Sequence, residues 1–100
     1  MTSITITATV RDARTDSALE VDFTLADTDR EFVLTVTNPA TGSSESDFCM
    51  YSADAEVAEE KFERLAGHVL RLFPTSRVRA QGDPIGRASQ LLAEATRYQK

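Results

Sequence analysis

The chain of 100 residues reads as a two-layer α+β domain, a four-stranded antiparallel meander covered on one face by two C-terminal helices (β-β-β-β-α-(β)-α). Three observations predict it. Apolar residues alternate at period two through the first half, they recur at helical spacing after Ser52, and the links between runs are short. The length is near the common size of one domain, so residues 1–100 are read as a single unit.

The elements follow in order. Ile4, Ile6, Ala8 and Val10 alternate with Thr5, Thr7, Thr9 and Arg11. Leu19, Val21, Phe23 and Leu25 alternate with Glu20, Asp22, Thr24 and Ala26, and Phe32, Leu34 and Val36 with Val33, Thr35 and Thr37. Successive strand side chains point to opposite faces, so each run buries one row and wets the other. The separators 12–17, 27–30 and 38–42 are rich in turn formers, and such short links join antiparallel neighbours. A fourth strand is expected over 47–51, with Phe48 and Met50 in its core row and Cys49 on the far face.

The period then changes. Ala58, Phe62, Leu65, Ala66, Val69 and Phe73 form one helical stripe, capped by Ser52 or Asp54 and stopped by Pro74. Acidic residues crowd its early turns, while His68 and Arg71 lie late, as the helix dipole favours. Residues 77–80 read either as a short fifth strand or as loop. Asp83 caps a second helix with Pro84 at its first position, and Ile85, Ala88, Leu91, Leu92 and Ala95 give its apolar face.

Charge is unevenly spread. The net charge is −5, yet residues 1–63 hold 14 acidic and 4 basic side chains, and residues 64–100 hold 2 acidic and 7 basic ones. That pattern predicts a molecule with two electrostatic faces. No segment approaches the roughly 18 apolar residues of a membrane span. Residues 1–6 lack the basic start and apolar core of a secretory signal. Cys49 is the only cysteine, which excludes an internal disulfide and fits a reducing, cytoplasmic setting.

Catalysis finds little footing. Cys49 and His68 form the one obvious nucleophile–base pair, and a reactive thiolate needs its base within hydrogen-bond reach. The expected geometry puts them on different sides of the sheet, so no catalytic residue is assigned. One Cys and one His cannot build a structural zinc site, no acidic spacing matches an EF-hand loop, and phosphate-cradling glycine motifs are absent. Neither metal nor cofactor is expected. Glu20 and Asp22 project from one face; they could hold a hard cation, but a solvated outer face is the plainer reading.

Two binding readings remain. In the first, a non-enzymatic protein-interaction module, an acidic inhibitor or accessory protein, meets a basic partner through Glu20, Asp22, Val33, Asp47 and Tyr51. Val33, Cys49 and Tyr51 would make a less polar corner of the outer face, and pairing of two copies through that face or a sheet edge is the related expectation. In the second, Arg77, Arg79 and Arg87, beside Gly82 and Gly86, take phosphate or nucleic acid at the start of the second helix. The acidic balance and the scarcity of aromatic residues outside core parity count against nucleic acid.

Overall fold

A computed structural model of the protein describes residues 2–28, 30–50, 55–73 and 76–98. Its elements are β1 (Ser3–Asp12), β2 (Ser17–Asp27), β3 (Glu31–Thr37), β4 (Ser44–Met50), α1 (Ala55–Val69), β5 (Val78–Ala80) and α2 (Pro84–Tyr98). All neighbours in the sheet are antiparallel, in the order β4-β3-β2-β1-β5. The expected α+β meander with two helices is therefore present, and residues 78–80 resolve as a strand. β5 adds to the far side of β1, where the Ala13 N–H donates to the Arg77 carbonyl and the Gln81 N–H to that of Thr9.

Directly opposed residues of an antiparallel pair share a face. Ala8 meets Val21, Phe23 meets Val36, and Leu25 meets Leu34, so the alternating apolar rows merge into one buried surface. Ala58, Phe62, Leu65, Ala66 and Val69 of α1 cover it, with Ile85, Ala88 and Leu92 of α2. Phe62 packs edge-on against Phe23 with ring centroids 4.8 Å apart. Each such fully buried side chain contributes about 1.5–3 kcal/mol. α2 lies over β1 and β2, whereas α1 lies over β3 and β4 and also reaches β5. One helix thus touches both edge strands, because the sheet curls into a half-barrel.

The chain ends its elements by local chemistry. The buried Asp12 carboxylate accepts from the Arg14 N–H and the Thr15 hydroxyl, which fixes the β1–β2 turn. Asp83 caps α2 as expected, accepting from the Gly86 N–H at 3.0 Å. A Cβ at Gly86 would push that carboxylate out of its present position. Leu91 is exposed, so the buried stripe of α2 is narrower than its apolar residues imply.

α1 ends earlier than expected. Arg71 adopts φ +56°, the Leu72 N–H reaches back to the Gly67 carbonyl, and the Arg71 N–H to that of His68. This is a Schellman closure with arginine in the left-handed position that usually holds glycine. The reversal takes Phe73 off the helical stripe. It is 64% exposed, with the Arg14 guanidinium 4.9 Å above its ring. The expected caps Ser52 and Asp54, and the expected stop at Pro74, lie outside the described residues.

Candidate interaction surface

The fourth strand has the opposite parity to the one its hydrophobicity implies. Cys49 is 5% exposed and faces the core, while Phe48 and Met50 are 57% and 58% exposed on the outer face. Register explains the correction. The hairpin closes with the Asn38 N–H donating to the Ser43 carbonyl, which sets Thr37 opposite Ser44 and hence Val33 opposite Phe48. Val33 lies on the outer face, so Phe48 must follow it. The inner row of β4 is Glu45, Asp47 and Cys49, opposed to Val36, Leu34 and Phe32.

Two inward carboxylates are tolerated because α1 supplies polar partners at matching spacing. Arg64 and Lys61 both bridge Asp47, and His68 Nδ1 stands 2.9 Å from Glu45 Oε2. Lys61 Nζ also donates to the Phe48 carbonyl at 2.8 Å. The Asp47 carboxyl is held below its usual range, first by the Phe48 N–H and then by Lys61 and Arg64, against the opposing effect of burial. These bonds tie the edge strand to the helix.

The outer face is graded along the strands. At one end Glu31 opposes Met50. The next row runs Ala26, Val33, Phe48, which makes an apolar corner at the sheet edge. A hydroxyl row follows, with Thr5 bonded to Thr24 and Thr35 to Ser46, each at 2.8 Å. Beyond it Asp22 accepts from the Thr7 hydroxyl, and Glu20 opposes Thr9. Arg11 and Arg79 face each other at the far end.

Of the five residues expected to meet a partner, Glu20, Asp22 and Val33 share this face. Asp47 lies on the helix side, and Tyr51 is outside the described residues. Cys49 leaves the expected corner, and Phe48 and Met50 take its place. Asp22 and Glu20 sit about two and three row spacings from Val33, with each row about 7 Å from the next. The signal that sequence reasoning missed was present in the loop: counting back from a hairpin over 38–43 fixes the β4 parity. A second signal was the basic triplet Lys61, Arg64, His68 on one helical flank, facing the two alternating carboxylates.

The three arginines do not gather at one place. Arg77 and Arg79 line an open cleft of about 390 Å³ between β5 and α1, whereas Arg87 lines a separate one beside β1 and the start of α2. The expected separation of acidic and basic halves is also reduced, since Arg64 and His68 bind β4 carboxylates and Arg79 stands on the same face as Glu20. Among the described residues no three of His, Cys, Asp and Glu converge as metal ligands, and no helix is long and apolar enough to cross a membrane. His68 and Cys49 belong to different environments, one exposed on α1 and one buried in the core row of β4. Compared with protein-family models, curated proteins and solved structures, the chain matches none.

Proposed function

We propose that the protein is a non-enzymatic interaction module that binds a basic partner protein through the outer face at β3 and β4. One observation carries the reading: Phe48 and Met50, successive outward residues of an edge strand, stand more than half exposed beside Val33 and Ala26, on a face whose following rows are polar. Large aromatic and Met side chains are enriched at the centres of protein interfaces, and a contiguous apolar patch on a polar surface marks a contact site. Glu31 beside Met50, and Asp22 and Glu20 further along, supply the acidic surround. A partner with an apolar anchor and flanking Lys or Arg complements that surface, and the charges chiefly speed and orient the encounter. An inhibitor or accessory-subunit role fits such a module.

The same acidic surround disfavours face-to-face pairing of two copies, which would set two acidic surfaces against each other. Photo-crosslinking tests the reading in extracts of the native host. A benzoylphenylalanine placed at Phe48 should capture one discrete basic protein, with the yield falling steeply between 50 and 500 mM salt, whereas the same probe at the exposed Leu91 of α2 should not. Equal capture from both positions, or capture indifferent to salt, would remove the proposal.

A further inference from the structure

We propose that the free edge of β5 and the adjoining flank of α1 form a docking groove for an extended acidic peptide segment, which lies beside β5 as an added strand. The backbone comes first. The Ala13–Arg77 and Gln81–Thr9 hydrogen bonds fix the β1–β5 ladder, and the alternation of an antiparallel pair then turns the N–H and C=O of Arg79 toward β1. Those of Val78 and Ala80 point the other way. Glu63 Oε1 takes the Ala80 N–H at 3.1 Å, but among the described residues the Val78 N–H meets no acceptor.

The space beside that edge is already shaped. The cleft of about 390 Å³ runs between the strand and the C-terminal half of α1, with Leu72 and Phe73 contributing apolar wall. Gly67 keeps the helix side open. A Cβ there would rest 3.6 Å from Val78 Cγ2, so any longer side chain must project along the wall. An added strand would lie about 4.8 Å from β5 and needs such a standoff.

Charge selects the occupant. Arg77 and Arg79 stand on the strand side; Arg64 and His68, on the helix side, are already paired with Asp47 and Glu45 of β4, and the one carboxylate of the lining, Glu63, is engaged with the Ala80 amide. Apolar wall, open backbone donor and basic rim together fit an extended chain carrying Asp or Glu at alternate positions, rather than a bare anion. This groove is distinct from the Phe48 face, so either can fail without the other.

Amide NMR of the whole chain tests it with three probes: acetylated and amidated Glu-Val-Glu-Val-Glu-Val, its Lys counterpart, and inorganic phosphate. The acidic peptide should shift the amides of Gly67, Val78 and Ala80 and slow exchange at Val78 at least tenfold. The basic peptide should bind at least tenfold more weakly. Gly67→Leu should abolish the response, and Arg77→Glu, an exposed change that leaves the fold intact, should weaken it at least tenfold; Phe48→Ala should leave it unchanged. Equal binding of both peptides, the same shifts from phosphate alone, or no shift at β5 at millimolar peptide would overturn the proposal.

Discussion

The two edges of this sheet meet the same helix and are treated in opposite ways. At β4, α1 is bound down: Lys61 holds the Phe48 carbonyl, Asp47 bends to the Phe48 N–H, and Arg64 and His68 bridge the inward carboxylates. Inward-pointing charge and a covering helix are two of the ways by which proteins discourage pairing at an exposed strand. At β5 the strand is three residues long, Glu63 alone among the described residues of α1 hydrogen-bonds to it, and a cleft remains. Edge protection at β4 sends Phe48 and Met50 outward, and the apolar corner is its by-product. At Phe48 the β4 edge is closed and offers a side-chain surface, whereas the β5 edge offers the backbone of Val78.

The sharpest way to break this contrast lies in adjacent residues of β4. Cys49→Asp puts a carboxylate into the buried row and should cost about 3 kcal/mol or more in urea unfolding. Phe48→Asp, one position away on the outer face, should stay within about 1 kcal/mol. Similar costs at both positions would mean that the strand has no fixed parity.

A smaller effect tests the seal. Asp47→Ala should cost about 1 kcal/mol at neutral pH, because the lost pairs are partly exposed and screened by solvent. Its folded pKa is lowered, so the stabilisation is present above the unfolded value and is lost as pH falls through the folded one. The difference between wild type and variant should accordingly be flat from pH 7 to 5 and shrink below about pH 4. A difference that grew on acidification would contradict the assigned partners.

Smallest and opposite in sign is Arg71→Gly beside the open edge. The left-handed backbone at Arg71 strains an L side chain, so glycine should raise stability by about 0.5–1 kcal/mol after its own entropic cost. Thermal unfolding reads this directly, and no gain would mean that the Arg71 side chain makes a compensating contact.

Much of the fold could be read from residues alone. The β1–β2 rows carry strong alternation over ten and eleven residues, and a paired strand on each side leaves no freedom of parity. The stripe of α1 from Ala58 to Val69 and the Asp83 cap are likewise local. β4 failed because Phe48, Cys49 and Met50 are all apolar in sequence, so hydrophobicity could not choose between the two faces. The register of the adjoining hairpin over 38–43 and the side chains of α1 decided it, the first through loop geometry rather than hydrophobicity and the second through residues farther along the chain. Phe73 was misplaced for a related reason: a left-handed residue other than glycine leaves no compositional mark, so the stripe looked longer than the helix. The groove beside β5 was invisible, since it depends on a strand that pairs with β1, at the other end of the chain.

The parity of β4 underlies both the sealed edge and the outward apolar corner, and thiol modification measures it most directly. With Cys49 replaced by alanine, Phe48→Cys and Met50→Cys should react with a neutral maleimide at the rate of a free thiol. The native Cys49 should react only as fast as the strand opens, at least a hundredfold more slowly. Fast labelling of Cys49 together with slow labelling at position 48 would reverse the strand and remove the surface built on it.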